Sequence, residues 1–112
     1  VGTVQMPEEG SAGKRAQDFL GEEVHVVSAF QNIAAHLLQQ DVHIECDVLV
    51  TGNSKDCRAK VIEMISEAGM NGWHAGPIAN AAAAEALTSI LIQINRSGFV
   101  SHSGIKIIGQ EH

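Results

Sequence analysis

Histidine and cysteine are the residue types in this sequence that could bind a transition metal. His36, His43 and Cys46 lie close together along the chain, and Glu45 could supply a further ligand. A structural zinc site needs three or four converging ligands and usually shows paired cysteines or a compact arrangement of histidine and cysteine. The sequence shows neither pattern. We therefore predict no metal ligand and treat a metal site as the weaker alternative.

A glycine-rich turn between a strand and a helix is the motif that would bind a dinucleotide. Its spacing is G-x-G-x-x-G, and its backbone amides hold the pyrophosphate at the amino end of the helix. Gly10 and Gly13 flank Ser11 and Ala12, but their spacing does not match. We interpret this segment as a loop followed by a helix cap.

Several polar residues could belong to a site, although each also has a structural explanation. Gly52 and Gly76 follow predicted strands, and open α/β sheets bind ligands beyond the carboxyl ends of their strands. Glu85 could pair with a basic group or orient a ligand. Hydroxyl groups could donate to a ligand or equally satisfy local backbone groups. The candidates are Ser28, Thr88 and Ser89.

Strands and helices alternate along the chain. β-branched, nearly all-apolar runs predict strands, and apolar residues at helical spacing predict helices. We predict strands over residues 1–6, 24–30, 46–51, 73–75 and 105–108. We predict helices from Ser11 to Leu20, from Asn32 to Gln40, after a Ser54 cap as far as Ala68, and from Ala79 to Asn95. This alternation indicates an α/β fold in which segment 24–30 is a central strand covered on both faces.

Composition narrows the classes of partner. The 112 residues carry a net charge of −6, which leaves no basic surface for DNA or RNA and predicts no nucleic-acid partner. No apolar run is long enough to cross a bilayer, so we expect no membrane association and a cytoplasmic protein. The two cysteines, Cys46 and Cys57, are predicted to be reduced, and Cys57 falls in the first turn of a predicted helix.

Five short segments in order resemble motifs of one enzyme family. The segment Val26-Val27-Ser28-Ala29-Phe30-Gln31-Asn32-Ile33 resembles V-V-S-A-[FL]-H-x-[VI]. The four that follow resemble D-V-x-V-x-G-[DN], D-A-G-P-L-x-N, E-S-L-T-P and G-I-[KR]. They are Cys46-Asp47-Val48-Leu49-Val50-Thr51-Gly52-Asn53, Ala75-Gly76-Pro77-Ile78-Ala79-Asn80, Glu85-Ala86-Leu87-Thr88 and Gly104-Ile105-Lys106. Together they resemble the carboxy-terminal part of the NADPH-dependent F420 reductase family, also called F420-dependent NADP oxidoreductases.

This resemblance implies a fold, a reaction and a set of site residues. The fold would be α/β and partial Rossmann-like, with a mostly parallel sheet flanked by helices, and residues 1–112 would form the carboxy-terminal part of a reductase domain. The reaction would transfer a hydride between NADP(H) and coenzyme F420. By resemblance, this part of the family's chain completes the sheet and helps to line the deazaflavin pocket. The residues carried over are Gln31, Ile33 and Thr88 for the deazaflavin wall, Ser103 and Gly104 near the closing loop, and Gly76 and Pro77 at the adjoining turn.

Four positions depart from the family motifs. Gln31 replaces a histidine that could titrate, and the others change small polar or turn residues. They are Ala86 in place of serine, Ser89 in place of proline and His74 in place of aspartate. These departures leave the identity of the electron carrier open.

The resemblance also implies partners and an alternative. We expect the nucleotide-binding, amino-terminal half to be absent here, and to come from a longer native chain or from a partner chain. The isolated chain would then be inactive and would bind NADP poorly. The alternative is a non-catalytic binding or dimerisation module, in which the helix from Ala79 to Ile94 packs on a second copy or on another chain. A homodimer is among the expected partners.

Overall fold

The computed structural model describes residues 11–29, 46–100 and 103–110. The predicted strand 1–6 and the predicted helix 32–40 lie outside these residues. Gln31 and Ile33 lie outside them as well. The described residues form an α/β arrangement, in agreement with the predicted class.

The first helix, α1, spans Ala12–Leu20. Ser11 begins it because its side-chain oxygen accepts a hydrogen bond from the Lys14 backbone N–H at 2.9 Å. Gly21 ends it with a φ of 84°, a left-handed conformation that favours glycine. Both ends agree with the sequence prediction.

Three strands form the described sheet. They are β1 (Val27–Ser28), β2 (Asp47–Gly52) and β3 (Asn71–His74), in the spatial order β1-β2-β3. β2 and β3 are parallel, whereas β1 is antiparallel to β2. The described sheet is therefore mixed, whereas a mostly parallel sheet was predicted. The sequence did not indicate the antiparallel pairing, because an apolar run does not specify the direction in which a strand pairs.

Segment 24–30 was predicted as a central strand, and its described residues form only the short strand β1. Only Val27–Ser28 pairs, at the edge of the described sheet, and Val24 is 44% exposed. β2 is the middle one of the three described strands, and its Val48 and Val50 are buried. Val27 and Ala29 pack against the core.

Helix α2 spans Lys55–Glu67 and connects the two parallel strands. Ser54 caps it by accepting a hydrogen bond from the Cys57 N–H at 3.2 Å, and Gly69 follows it with a φ of 88°. Its buried Ile65 joins Val48, Val50 and Met70 in the main core. Apolar burial between this helix and the sheet supplies the main stabilisation of the described fold.

Helix α3 spans Ala81–Arg96 and follows a short 3₁₀ turn, Ile78–Asn80. It packs on α1 and on the sheet through Ala81, Ala84 and Leu91, which are buried. Ile90 and Ile94 on the same helix are 47% and 41% exposed. No helix in the described part of the chain is long and apolar enough to cross a membrane.

Residues 105–108 were predicted as a strand, but they do not form one. The Asp47 backbone N–H donates to the Ile105 carbonyl at 2.8 Å, as in a ladder. The next amide, of Ile107, donates instead to the Asp47 side chain at 2.7 Å. A side chain therefore takes the place of the next backbone partner, and Ile108 is 89% exposed.

Candidate functional site

Two turns meet at the carboxyl ends of β2 and β3. The Gly52 N–H donates to the Gly76 carbonyl at 3.0 Å, and the Ala75 N–H donates to the Val50 carbonyl at 2.8 Å. Parallel strands end at the same edge of a sheet, which is where α/β proteins bind their ligands. The structure therefore brings together the two glycine turns that the sequence indicated.

Each turn needs its glycine for a different reason. A Cβ on Gly52 would lie 2.9 Å from the Val26 carbonyl oxygen, so the backbones could not approach as they do. Gly76 has a φ of 96°, and a Cβ there would collide with the Asn80 side-chain amide, which donates to the Ala75 carbonyl at 2.8 Å. The Asn53 side-chain oxygen accepts from the Ile78 N–H at 3.0 Å, which ties the two turns together just beyond Pro77.

A cleft of about 550 Å³ opens beside these turns. Most of its lining is polar or charged, and part of this lining is already engaged: Lys14 and Asp18 form an exposed ion pair. The lining residues are Lys14, Gln17, Asp18, Gly21, Glu22, His25 and Asn53. Such walls suit a hydrated, polar group better than the face of an aromatic ring.

Glu85 has a structural role that the sequence did not specify. Its carboxylate accepts hydrogen bonds from the backbone N–H groups of Ala12, at 2.8 Å, and Gly13, at 3.3 Å. A negative side chain at this end of α1 also interacts favourably with the helix dipole. Ser11 engages the next amide, so the amino end of α1 is capped by the chain itself.

A second group of predicted site residues lies along α3 and the segment after it. The Ser103 hydroxyl donates to the Leu91 carbonyl at 3.1 Å, and the Ser103 N–H donates to the Asn95 side-chain oxygen at 2.9 Å. Thr88 precedes Leu91 by one helical turn on the same face. Ser103 is therefore held against the carboxyl-terminal half of α3, and Gly104 follows it directly in the chain.

Gly104 lies against the start of β2. A Cβ on Gly104 would approach the Cβ of Cys46 to 2.7 Å, which only glycine avoids. Gly52, next to Gly76, lies at the other end of β2, roughly 20 Å away at about 3.3 Å per residue. Ser103 and Gly104 therefore lie near the amino end of β2, whereas Gly76 and Pro77 lie at its carboxyl end.

Asp47 was quoted in a motif but was not predicted to have a role. It is 3% exposed, and one carboxylate oxygen, Oδ2, accepts from the Trp73 indole N–H at 3.0 Å and from the Ile107 N–H at 2.7 Å. An acid at the start of an apolar strand is the sequence signal that could have drawn attention to it, because a buried carboxylate needs hydrogen-bond donors.

The two cysteines are free, as predicted. Burial raises the pKa of the Cys46 thiol, and the neighbouring Asp47 carboxylate raises it further, while a backbone hydrogen bond opposes both effects. Among the residues that the structure describes, no group of three or more His, Cys, Asp or Glu side chains could hold a metal ion. Of the metal alternative only Cys46 is described; His36, His43 and Glu45 lie outside.

Comparison with known proteins identifies the relatives of this chain. No protein-family model matches it. The F420-dependent NADP reductase of Methanocaldococcus jannaschii is 33% identical over 107 residues, which are 94% of this chain. The protein of the same name from Methanothermobacter thermautotrophicus is 35% identical over 102 residues, or 88% of the chain. The chain is homologous to the F420-dependent NADP reductases.

A solved structure has the same fold as this chain. The crystal structure of a candidate F420-dependent NADP reductase from Arthrobacter sp. FB24 aligns with a TM-score of 0.76 over 87% of this chain, at 23% identity. The chain covers 45% of that protein, and 48% and 44% of the two curated relatives. The chain therefore spans about half the length of the reductases that it matches.

Proposed function

We propose that this chain forms the deazaflavin side of an oxidoreductase that transfers a hydride between NADP(H) and coenzyme F420. The observation that carries the proposal is the identity of 33–35% to proteins named F420-dependent NADP reductase, over 88–94% of this chain. When bound, the two cofactors supply the hydride chemistry, and the protein supplies binding, orientation and exclusion of water.

The described residues do not fit the pyrophosphate of NADP. The amino end of α1 would be a natural phosphate site, but its first amides already donate to Glu85 and Ser11. The glycines at Gly10 and Gly13 also lack the spacing of a phosphate-binding turn. We therefore propose that the nucleotide is bound by the half that the relatives have in addition, either upstream in a longer chain or in a partner chain.

The second group of site residues fits the deazaflavin side better. Ser103 uses both its N–H and its hydroxyl to hold α3, so its role is to fix the loop rather than to donate to a ligand. Gly104 follows it and is exposed, and it presents no side chain of its own to an approaching ring. We propose that Gly104 and Thr88 contact the cofactor and that Gln31 and Ile33, carried over by resemblance, complete the wall.

Titration of F420 into the full-length gene product tests this proposal. We expect F420 to bind and to be reduced by NADPH. Thr88→Val, which removes a hydroxyl while keeping the shape, should weaken F420 binding about tenfold, the effect of losing a hydrogen bond of roughly 1.4 kcal/mol. Thr51→Val is a matched control, because Thr51 lies in β2 and its buried hydroxyl has no partner among the described residues.

Two results would contradict the proposal. One is a wild-type protein that does not bind F420. The other is a Thr88→Val protein that binds F420 as tightly as the Thr51→Val control. A cytoplasmic setting, which the two free thiols support, is part of the same proposal.

A second candidate function is a non-catalytic binding or dimerisation module. It is favoured by exposed apolar side chains at and after the end of α3, where Ile90 and Ile94 are partly exposed and Phe99 is 94% exposed. This candidate predicts association that depends on protein concentration and that is lost in Ile94→Ser, without any F420 binding. Sedimentation measured beside the F420 titration separates the two candidates.

A further inference from the structure

Asp47 connects three parts of the molecule at the amino end of β2. Its side chain accepts hydrogen bonds from Trp73 on β3 and from Ile107 in segment 103–110, and its own N–H donates to the Ile105 carbonyl. The residue is almost completely buried. A buried carboxylate that loses its donors is costly, so these bonds hold the segment firmly at this position.

The same segment carries two of the proposed cofactor-side residues. Ser103 is attached to α3 by two hydrogen bonds, and Gly104 touches Cys46, which precedes Asp47 in the chain. The segment is thus held at both ends: α3 holds its beginning and Asp47 holds its continuation. The position of Gly104 between these anchors depends on both.

We propose that Asp47 is a positioning residue for the deazaflavin site. It does not touch the cofactor; it holds Ile105 and Ile107 so that Ser103 and Gly104 keep the position that F420 binding requires. This inference rests on the proposed function, because it assigns Gly104 to the F420 side. The inference goes beyond the proposed function by naming the buried Asp47 and the chain's single tryptophan, Trp73, as the support of the segment that carries Gly104.

The inference is tested with Asp47→Ala in the full-length gene product. The first measurements are made in the absence of F420. Lys106 lies in segment 103–110 and is exposed, so trypsin can reach it once the segment is released. Cleavage after Lys106 should become about tenfold faster relative to cleavage after Arg96. This is the change expected from losing hydrogen bonds to a charged group. Trp73 emission should shift to longer wavelength as water replaces Asp47. Asp47→Asn keeps an acceptor oxygen and should lie between wild type and Asp47→Ala. Asp56→Ala, at an exposed acid of α2, should behave as wild type.

F420 binding by the same proteins gives the functional result. We expect Asp47→Ala to weaken F420 binding about tenfold, Asp47→Asn to weaken it less, and neither to change NADP binding. Gly104→Ala covers the case in which Asp47→Ala does not fold, because its Cβ displaces the loop from Cys46 while leaving Asp47 intact. It should also weaken F420 binding and speed cleavage after Lys106.

The outcomes separate the two proposals. If wild type binds F420 and the folded Asp47 variants bind it equally well, Asp47 has no positioning role and the proposed function stands. If only Gly104→Ala can be measured, unchanged F420 binding by that variant overturns the positioning role. If wild type binds no F420, the proposed function fails, and the role given to Asp47 fails with it.

Discussion

The Gln17 side chain holds the loop that follows α1 against the helix. Its amide nitrogen donates to the carbonyls of Gly21, at 2.8 Å, and Val24, at 2.6 Å, while its oxygen accepts from the Val26 N–H at 3.0 Å. Gln17 is 8% exposed, and the three hydrogen bonds are partly shielded from water. Gln17 therefore fixes the connection between α1 and β1, and it also lines the polar cleft.

We predict that Gln17→Ala lowers the free energy of unfolding by about 2–3 kcal/mol, because it removes three part-buried hydrogen bonds to the backbone. Urea unfolding of the chain measures this. Gln93→Ala, on an exposed position of α3, is the control and should change stability by less than about 0.5 kcal/mol. Equal stability of the two variants would show that water replaces the lost bonds.

Cys46 is expected to react slowly with alkylating agents. Its raised pKa keeps the thiol protonated at neutral pH, and only the thiolate reacts, so labelling should accelerate as the pH rises beyond the ordinary thiol range. Iodoacetamide labelling of native protein across a pH series, followed by peptide mass spectrometry, measures the rate. Urea-unfolded protein is the control. A native Cys46 that reacts as fast as the unfolded one at pH 7.5 would contradict this prediction.

At the scale of elements, the sequence predicts where the helices begin and end, but it does not predict the contacts between one helix and another. Ser11 and Ser54 cap α1 and α2 as predicted, since a cap involves residues only three positions apart. Glu85 adds to the cap of α1 from 73 positions away along the chain. Only the packing of α1 on α3 produces that contact.

We predict that Glu85→Ala destabilises the chain by about 1–2 kcal/mol, the usual effect of losing a charged helix cap. Glu85→Gln should lose less, because an amide oxygen still accepts a hydrogen bond. In Glu85→Ala, amide hydrogen exchange should become faster than in the wild type in the first turn of α1, and the increase there should exceed any increase in α2. Glu63→Ala, at an exposed position of α2, is the control, and unchanged exchange at Ala12 and Gly13 in Glu85→Ala would show that the contact does not matter in solution.

At the scale of the whole molecule, the chain corresponds to about half of each reductase that it matches. Its exposed surface includes large apolar side chains from several elements, which is consistent with contact to further protein. Examples are Phe19 on α1, Met64 on α2, and Phe99 and Ile108 beyond α3.

We predict that this chain by itself binds NADP only with millimolar or weaker affinity, because the amino end of α1 is already capped by Ser11 and Glu85. Calorimetric titration with NADP measures this, and the F420-dependent NADP reductase of Methanocaldococcus jannaschii, of which this chain covers 48%, is the positive control. Submillimolar binding by the chain alone would mean that it holds a phosphate site of another kind.

The amino-acid sequence by itself determined the α/β class, α1, α2 and α3, the parallel pair β2 and β3, and the relationship to the reductases. These features depend on local signals: helical spacing, caps such as Ser54, and glycines such as Gly69. The resemblance also named Thr88 on α3 and the two residues Ser103 and Gly104 that follow this helix. It named Gly76 and Pro77 as well, which lie at the far end of β2.

Only the tertiary structure decided how distant segments meet. The antiparallel pairing of β1, the Glu85 contact with α1 and the Asp47 contact with Ile107, 60 positions away, have no local pattern that predicts them. An apolar run does not encode its direction, and a carboxylate does not reveal which distant N–H will reach it once both are buried. The strand predicted over 105–108 was wrong for this reason, because the Asp47 side chain, rather than the backbone of β2, accepts the hydrogen bond from Ile107.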